Sequence, residues 1–532
     1  MSMHPAEPTD ATEDDSLPTA IELLQRRAEN KPNVIALSDP PDRPNFGLGN
    51  ARAWTYREAD AATGALAAFF TGRGLGPGDI VAAQLPNFAL APLAILAAWR
   101  AGLTVALLPM LWRGYEIVRA CADIAPKALI GVSCFGEETP IETLAAVAAV
   151  QPSIRFVLGS GPHLPEGIAS LDAAMSASST PEAPAAPPLT GPALVTFTAR
   201  AGAPFIAVER SEEELLAQGA MTVLALDLDG GDVILNPYPL TGPAGLSLGL
   251  MPWLVSGATL AQHHPFDYRA FAQQIIAAGA TVTALPAPVL AELATDGVPQ
   301  APQCRLRRVG AVWTGLETQT PLPVPFGGEA AFFDLYPLGD LAGIMLMRES
   351  PNDPAPLPLG TVEVQDGEEN AVFVETKLGP QRHPEGYGEI LVRGPIVPEQ
   401  EGGSLSPDGE GFIGTGLLGK ANGTALQLKG DPELLRHGGL AIAASEFDEL
   451  YRSFPGFLDA ACFVLPDAQT GDRVIAAVVP LPDQPVTLEA LTAFLEERRV
   501  APYKFPDKIV IVRQIPRDAE GRVLREQILL QV

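Results

Sequence analysis

Apolar and polar positions switch between two periods along most of this chain. Short apolar, β-branched runs bounded by Gly, Pro or Asp predict strands at Asn33–Ser38, Arg52–Tyr56, Ile80–Leu85, Gly102–Leu108, Ala128–Val132 and Arg155–Leu158. Between them, Leu17–Asn30, Arg57–Arg73, Ala89–Arg100, Tyr115–Ile124 and Ile141–Val150 place apolar residues at helical spacing. Strand, helix, strand in this rhythm predicts parallel α/β layers. The rhythm resumes with a helix at Glu212–Leu224, a strand at Val233–Asn236, and an apolar helix and turn over Leu246–Leu260 that ends in a strand. Further units follow: helices at Phe266–Ala278 and Pro288–Ala294, with strands at Val282–Leu285, Val309–Thr314 and Phe332–Tyr336. Beyond Gly386 the units shorten to strands at Gly388–Val392, Asp459–Leu465, Val474–Val479 and Lys508–Val512, with helices from Ser445 and over Thr487–Arg498.

Breaks in the pattern divide the chain. Ser176–Gly191 is rich in Pro, Ala and Ser and predicts a linker or long loop. The longest apolar run, Phe88–Met110, is interrupted by Arg100 and two prolines, so it reads as a buried helix followed by a strand and not as a membrane span. Residues 1–17 are acidic, lack an apolar leader segment and predict a disordered tail.

The length of 532 residues allows more than one domain, and 47% hydrophobic with 18% charged residues fits a soluble globular protein. The formal net charge of −28 works against nucleic acid and anionic lipid as partners, and no run of Lys and Arg offsets it. Cys121, Cys134, Cys304 and Cys462 form no close pair, which argues against a disulfide framework or zinc site and fits a reducing cytoplasm. The six histidines show no metal-ligand spacing, and His263-His264 reads as a strand end.

The stretch Gly386–Glu449 carries the chemistry. It reads GYGEILVRGPIV, then GFIGTGLLGKANGTALQLKGD, then PELLRHGGLAIAASEFDE. Its glycines demand tight turns or close approaches. In order and spacing these blocks resemble the AMP-forming acyl-CoA synthetase and adenylation superfamily, and the match runs over about residues 18–528. The resemblance implies an α/β fold: a large N-terminal domain of parallel sheets with helices and a small β-barrel-like subdomain (18–429), then a small mobile α+β C-terminal domain (430–532).

The resemblance also assigns residues. Ala193–Val208 stands at the phosphate loop, with Thr198, Gly202 and Pro204 kept, Arg200 inside the loop and Phe205 at its lysine. Glycine and hydroxyls suit such a loop because backbone N–H groups must wrap phosphate closely. Tyr336 matches the tyrosine beside adenine, Gly339 stands at the following threonine, and Asp340 at the Mg²⁺-holding glutamate, one methylene shorter. Leu417 replaces the acid that binds the ribose hydroxyls. Gly242 and Gly315 fall where the family lines its acyl pocket, Gly430 and Pro432 at the hinge, and Gly438, Gly439 and Glu446 on the block that turns toward CoA. Arg522 stands at the catalytic lysine near the C-terminus, a planar fork in place of a point charge.

The family reaction brings a carboxylate and ATP together, and the protein supplies charge, metal and aligned donors. This chain departs from the pattern at Phe205, Gly242, Gly339, Leu417, Gly430 and Arg522 together. The expectation is an acyl-CoA synthetase-like protein with weak or lost ATP-dependent adenylation that keeps an acyl, acyl-CoA or partner-binding role. Two alternatives stay open: an active AMP-forming carboxylic acid–CoA ligase rebuilt around Arg200, Asp340 and Arg522, and other acyl or CoA chemistry on the same fold. By resemblance the cofactors are ATP, Mg²⁺ and CoA. The expected partners are a small carboxylic acid or acyl-CoA, with a homodimer or a protein partner also open.

Overall fold

The computed structural model describes residues 18–176, 187, 189–201, 203–313, 330–367, 369–381, 385–399, 405–431, 433–437, 440–467, 471–482 and 486–531. Two large sheets dominate. One runs Ala169–Ser170, Phe156–Ser160, Ala128–Val132, Ile80–Gln84, Thr104–Leu107, Leu194–Arg200, Ala203–Arg210, and only its last pair is antiparallel. The other runs Ala342–Met347, Ala331–Leu338, Arg308–Val312, Val282–Leu285, Val233–Asn236, Thr259–Gln262, Ile35–Ser38, Ala53–Thr55. Its inner pairs are parallel and both edges are antiparallel.

The helix Leu90–Arg100 explains how the sheets join. Every residue from Leu90 to Trp99 is buried. A helix with no polar face belongs between layers. Leu93 and Ala97 share one core with Val81 and Ile130 of the first sheet and with Leu37 and Ile234 of the second. The Trp99 indole donates to the Ala193 carbonyl at 2.8 Å, which fixes the strand that leads into the candidate site. Capping boxes at Thr19 with Glu22 and at Thr55 with Glu58 begin two of the outer helices.

A third sheet is antiparallel: Gly360–Asp366, Glu369–Gln381, Gly388–Arg393, Ile413–Asn422, Ala425–Lys429. Its ends approach each other. The Leu359 N–H donates to Thr424 O and the Leu426 N–H to Leu357 O, both at 2.8 Å, so the chain before the first strand pairs with the last. That closure gives the barrel-like subdomain and covers its edges. A smaller domain follows: a hairpin (Leu434–His437 and Leu440–Ala443), the helix Ala444–Arg452, a three-stranded sheet (Phe457–Asp467, Gly471–Pro480, Lys508–Ile511) and the helix Leu488–Glu497. Phe447, Tyr451, Ala476 and Leu491 lie in its core. Among the described residues no helix is long and apolar enough to cross a membrane.

The predicted Val309–Thr314 strand is observed as Arg308–Val312. Most of the Ser176–Gly191 linker lies outside the described residues. His263 and His264 follow the Thr259–Gln262 strand, as the pattern predicts. His263 pairs with Gln274 at 2.8 Å, and His264 stacks on Phe135 with 5.2 Å between ring centroids. Burial pushes the His264 imidazole down to about 4. The unfolded chain therefore binds the proton first, and the stability present above pH 6.5 is lost as pH falls toward 4. His264→Phe is expected to remove about 2–3 kcal/mol of acid sensitivity over that window, read from denaturant midpoints at stepped pH.

Candidate functional site

The site is built where three sheets meet. Leu194–Arg200 and Ala203–Arg210 form a tight antiparallel hairpin in which Arg200 pairs with Ala203. The stretch assigned to a phosphate loop is therefore mostly strand, and only its tip is a turn. Residues two apart on a strand share a face, and Thr198 and Arg200 do so here. The Thr198 hydroxyl donates to the Asp340 carboxylate at 2.8 Å and accepts from Arg200 Nη1 at 3.0 Å. Arg200 is buried. Its guanidinium also donates to the carbonyls of Ala199 (2.9 Å), Gly339 (2.9 Å) and Gly414 (3.4 Å). One side chain thus bridges the first sheet, the second sheet and the barrel.

Gly339 and Asp340 form the turn between Ala331–Leu338 and Ala342–Met347, with φ of +57° and +60°. The Leu341 N–H donates to Leu338 O at 2.9 Å and closes it. Positive φ at both central residues is the hairpin geometry that suits a Gly-Asp pair. A Cβ on Gly339 would lie 1.8 Å from the Thr415 carbonyl oxygen, so the threonine of the family pattern has no room. The backbone carbonyl of Asp340 accepts from Arg210 at 2.7 Å, and Arg210 is paired with Glu214.

The glycine-rich strand Ile413–Asn422 supplies the third wall. Gly416 has φ +71°, and a Cβ there would sit 2.8 Å from Arg200 Cδ. Its N–H donates to Glu389 at 3.1 Å. Leu417 is buried in the apolar cluster of the barrel with Ile390, Val392 and Leu426. Tyr336 is buried, its hydroxyl donates to Ala355 O, and Trp313 lies flat on its ring at 5.2 Å and 5°. The Trp313 N–H donates to Asp334 at 2.9 Å.

The structure thus gathers Thr198, Arg200, Gly339, Asp340 and the Gly414–Leu417 segment. Other assigned residues lie elsewhere. Arg522 is 73% exposed and pairs with Asp518 (2.8 Å) and Glu520 (3.5 Å) on its own turn. Glu446 is buried between the domains against Lys504 and Arg119. Gly242 caps a short helix, and a Cβ there would meet nothing within 4 Å. Gly430 follows the last barrel strand. Gly202, Gly315, Pro432, Gly438 and Gly439 lie outside the described residues. Phe205 packs with Trp112 and Phe197 at 5.2 and 5.1 Å. Sequence reasoning passed over Arg210, Glu389, Trp313 and Lys504. Glu389 lies in the GYGEILVRGPIV block, and the signal for Arg210 and Trp313 was a charged or aromatic residue in an otherwise apolar strand or turn.

A cleft of about 410 Å³ opens between the domains, lined among others by Arg113, Thr139, Glu142, Arg499, Pro502 and Phe505. Its walls come from both the large α/β domain and the small terminal domain. The architecture is that of a two-domain α/β protein with a cleft at the domain junction.

The comparisons agree. The profile described as "AMP-binding enzyme" matches residues 24–399, and "AMP-binding enzyme C-terminal domain" matches 446–522. The chain belongs to the AMP-binding enzyme family. It is 28% identical to the salicyl-AMP ligase / salicyl-S-ArCP synthetase of Mycobacterium tuberculosis, over 96% of this chain and 90% of that protein. Its fold is similar to the amide bond synthetase McbA from Marinactinospora thermotolerans, at TM-score 0.74 and 20% identity over 96% and 99% of the two chains. It is also similar to the o-succinylbenzoate CoA synthetase MenE of Bacillus subtilis bound with a product analogue, at TM-score 0.72 and 21% identity over 95% and 97%.

Family members use ATP, Mg²⁺ and CoA. In the place assigned to the nucleotide, the polar groups are engaged within the protein. The Arg200 donors are turned onto the protein's own carbonyls, the Asp340 carboxylate accepts from Thr198, Trp313 covers Tyr336, and Leu417 faces an apolar core.

Proposed function

We propose that this chain is an acyl-CoA synthetase-like protein in which ATP-dependent adenylation is weak or lost and binding of an acyl group or acyl-CoA is kept. One observation carries this reading: the Arg200 guanidinium spans the hairpin, the Gly339 turn and the Gly414 strand. Those are the three blocks that the family pattern sets around the nucleotide. A donor aimed at phosphate stabilises charge as it develops, and losing one typically costs about 2.7–4 kcal/mol of transition-state stabilisation. Leu417 offers a ribose hydroxyl no acceptor, a further loss of about 1–3 kcal/mol.

The cleft between the domains is the place for the acyl-CoA, where the exposed Arg499 meets its anionic groups. The salicyl relative makes aryl acids the first ligands to test, and its carrier-protein substrate makes a protein partner part of the same reading. A second reading, a ligase rebuilt around Arg200, Asp340 and Arg522, is favoured by the Thr198–Asp340 contact, which keeps a hydroxyl beside a carboxylate.

Calorimetry with Mg²⁺–ATP, beside pyrophosphate release over a panel of aryl and alkyl acids, separates the two. The expected result is no ATP binding up to millimolar concentration, no pyrophosphate, and measurable binding of CoA or acyl-CoA. Arg499→Glu is expected to weaken the latter by about tenfold or more, the weight of one charge-assisted contact. Micromolar ATP binding with pyrophosphate release establishes the ligase reading.

A further inference from the structure

Trp313 comes just after the strand Arg308–Val312 and is half-buried. Its ring lies on that of Tyr336, with 5.2 Å between centroids and 5° between planes. Aromatic neighbours on adjacent strands are ordinary sheet packing. What sets this pair apart is that everything the indole touches is held in place by other groups. Tyr336, the floor, is 1% exposed, belongs to the apolar cluster of the barrel, and donates its hydroxyl to Ala355 O at 2.5 Å.

The wall is fixed in the same way. Asp334 is fully buried. Its Oδ2 accepts from Arg348 Nε at 2.9 Å and from the Ala355 N–H at 2.7 Å. Its Oδ1 accepts from Arg348 Nη2 at 2.5 Å and from the Trp313 indole N–H at 2.9 Å. A carboxylate oxygen takes about two donors, so the indole fills the second place on Oδ1. The indole thus sits as a bound heteroaromatic would, with one face on a fixed ring and one N–H on a fixed acceptor. Taking it away would leave the Tyr336 face and one lone pair of Asp334, with their supports intact.

We propose that Trp313 is the internal occupant of a slot shaped for a planar, amino-bearing heteroaromatic ring of the adenine class, and that its indole keeps such a ring off Tyr336. The exocyclic amino group of adenine would donate to Asp334 as the indole N–H does, and its π-face would stack on Tyr336. A ring tethered to the backbone loses no translational freedom on binding, so a free base competes poorly against it. This inference rests on the proposed function and deepens it, because it names the residue that closes the site to the base, apart from the groups around the phosphates.

Calorimetry with free adenosine on the full chain tests it, since adenosine carries no phosphate and makes no demand on Arg200. Purine riboside, which lacks the amino group, is the control. The wild type is expected to bind neither up to millimolar concentration. Trp313→Gly should bind adenosine about tenfold or more tightly than the wild type does, the weight of one stacked base. Purine riboside should bind that variant about tenfold more weakly than adenosine, the weight of one hydrogen bond to a charged acceptor. Trp313→Phe keeps a ring on Tyr336 and should bind no adenosine. Should Trp313→Gly fail to fold, Trp313→Val decides, because it gives up the ring and the N–H and keeps a strand former. A folded variant with no gain for adenosine, an equal gain for purine riboside, or wild-type binding as tight as the variant's overturns the proposal. The function reading fails on a different result, Mg²⁺–ATP binding with pyrophosphate release by the wild type, so the two failures are told apart.

Discussion

Placing threonine at position 339 is expected to cost about 4 kcal/mol or more, enough to unfold a marginal domain. Two independent effects add. A β-branched residue is a poor fit to φ of +57°, since the branched Cβ meets its own backbone. The new Cβ would also stand 1.8 Å from the Thr415 carbonyl oxygen, which is backbone and has no rotamer to escape into. Relief needs the turn to leave the barrel strand, and that breaks the Arg200 contacts with Gly339 and Gly414. Gly339→Ala should show the same sign with a smaller loss. Gly242→Thr is the control, because its Cβ meets nothing within 4 Å. Equilibrium unfolding in urea reads all three. A loss at position 339 of under about 1 kcal/mol would show that the turn is not wedged against the barrel.

The second large effect lies behind Tyr336. Asp334 and Arg348 are fully buried and share two contacts, Nε to Oδ2 at 2.9 Å and Nη2 to Oδ1 at 2.5 Å. Asp334 also accepts from the Trp313 indole at 2.9 Å and from the Ala355 N–H at 2.7 Å. Arg348→Met leaves a buried carboxylate without its cation, and a loss of about 3–5 kcal/mol is expected. Adding Asp334→Asn should recover a good part of it, since the charge and its partner are then both gone. Trp313 is held against Tyr336 by the same aspartate, so its emission should shift to the red in Arg348→Met. A single variant as stable as the wild type, or a double variant worse than the single, would contradict the account.

Much of this protein was legible without coordinates. The alternation of apolar runs and helical faces gives parallel α/β layers, because each run is too apolar to face water on either side. The apolar run Phe88–Met110 reads as a buried helix and a strand, and the structure sets that helix between the two sheets. His263 and His264 fell at a strand end for the same reason of period. The blocks in order marked Thr198, Gly339, Asp340 and Leu417 as one site, and the structure brings those segments together.

The direction of side chains was another matter. The resemblance put Thr198 and Arg200 in one phosphate loop, yet it left open whether the guanidinium meets an anion or not. That depends on Gly339 and Gly414, which lie far along the chain. Glu446 showed the same limit. Its sequence context is that of an acid in the first turn of a helix, and nothing local points to Lys504 or to Arg119. A carboxylate's neighbours set its role, and here they come from two distant stretches. The chain by itself determined layers, breaks and the order of blocks, because those follow from local periodicity and turn residues. Only the tertiary structure decided what Arg200 and Glu446 hold, because long-range packing alone brings their partners within bonding distance.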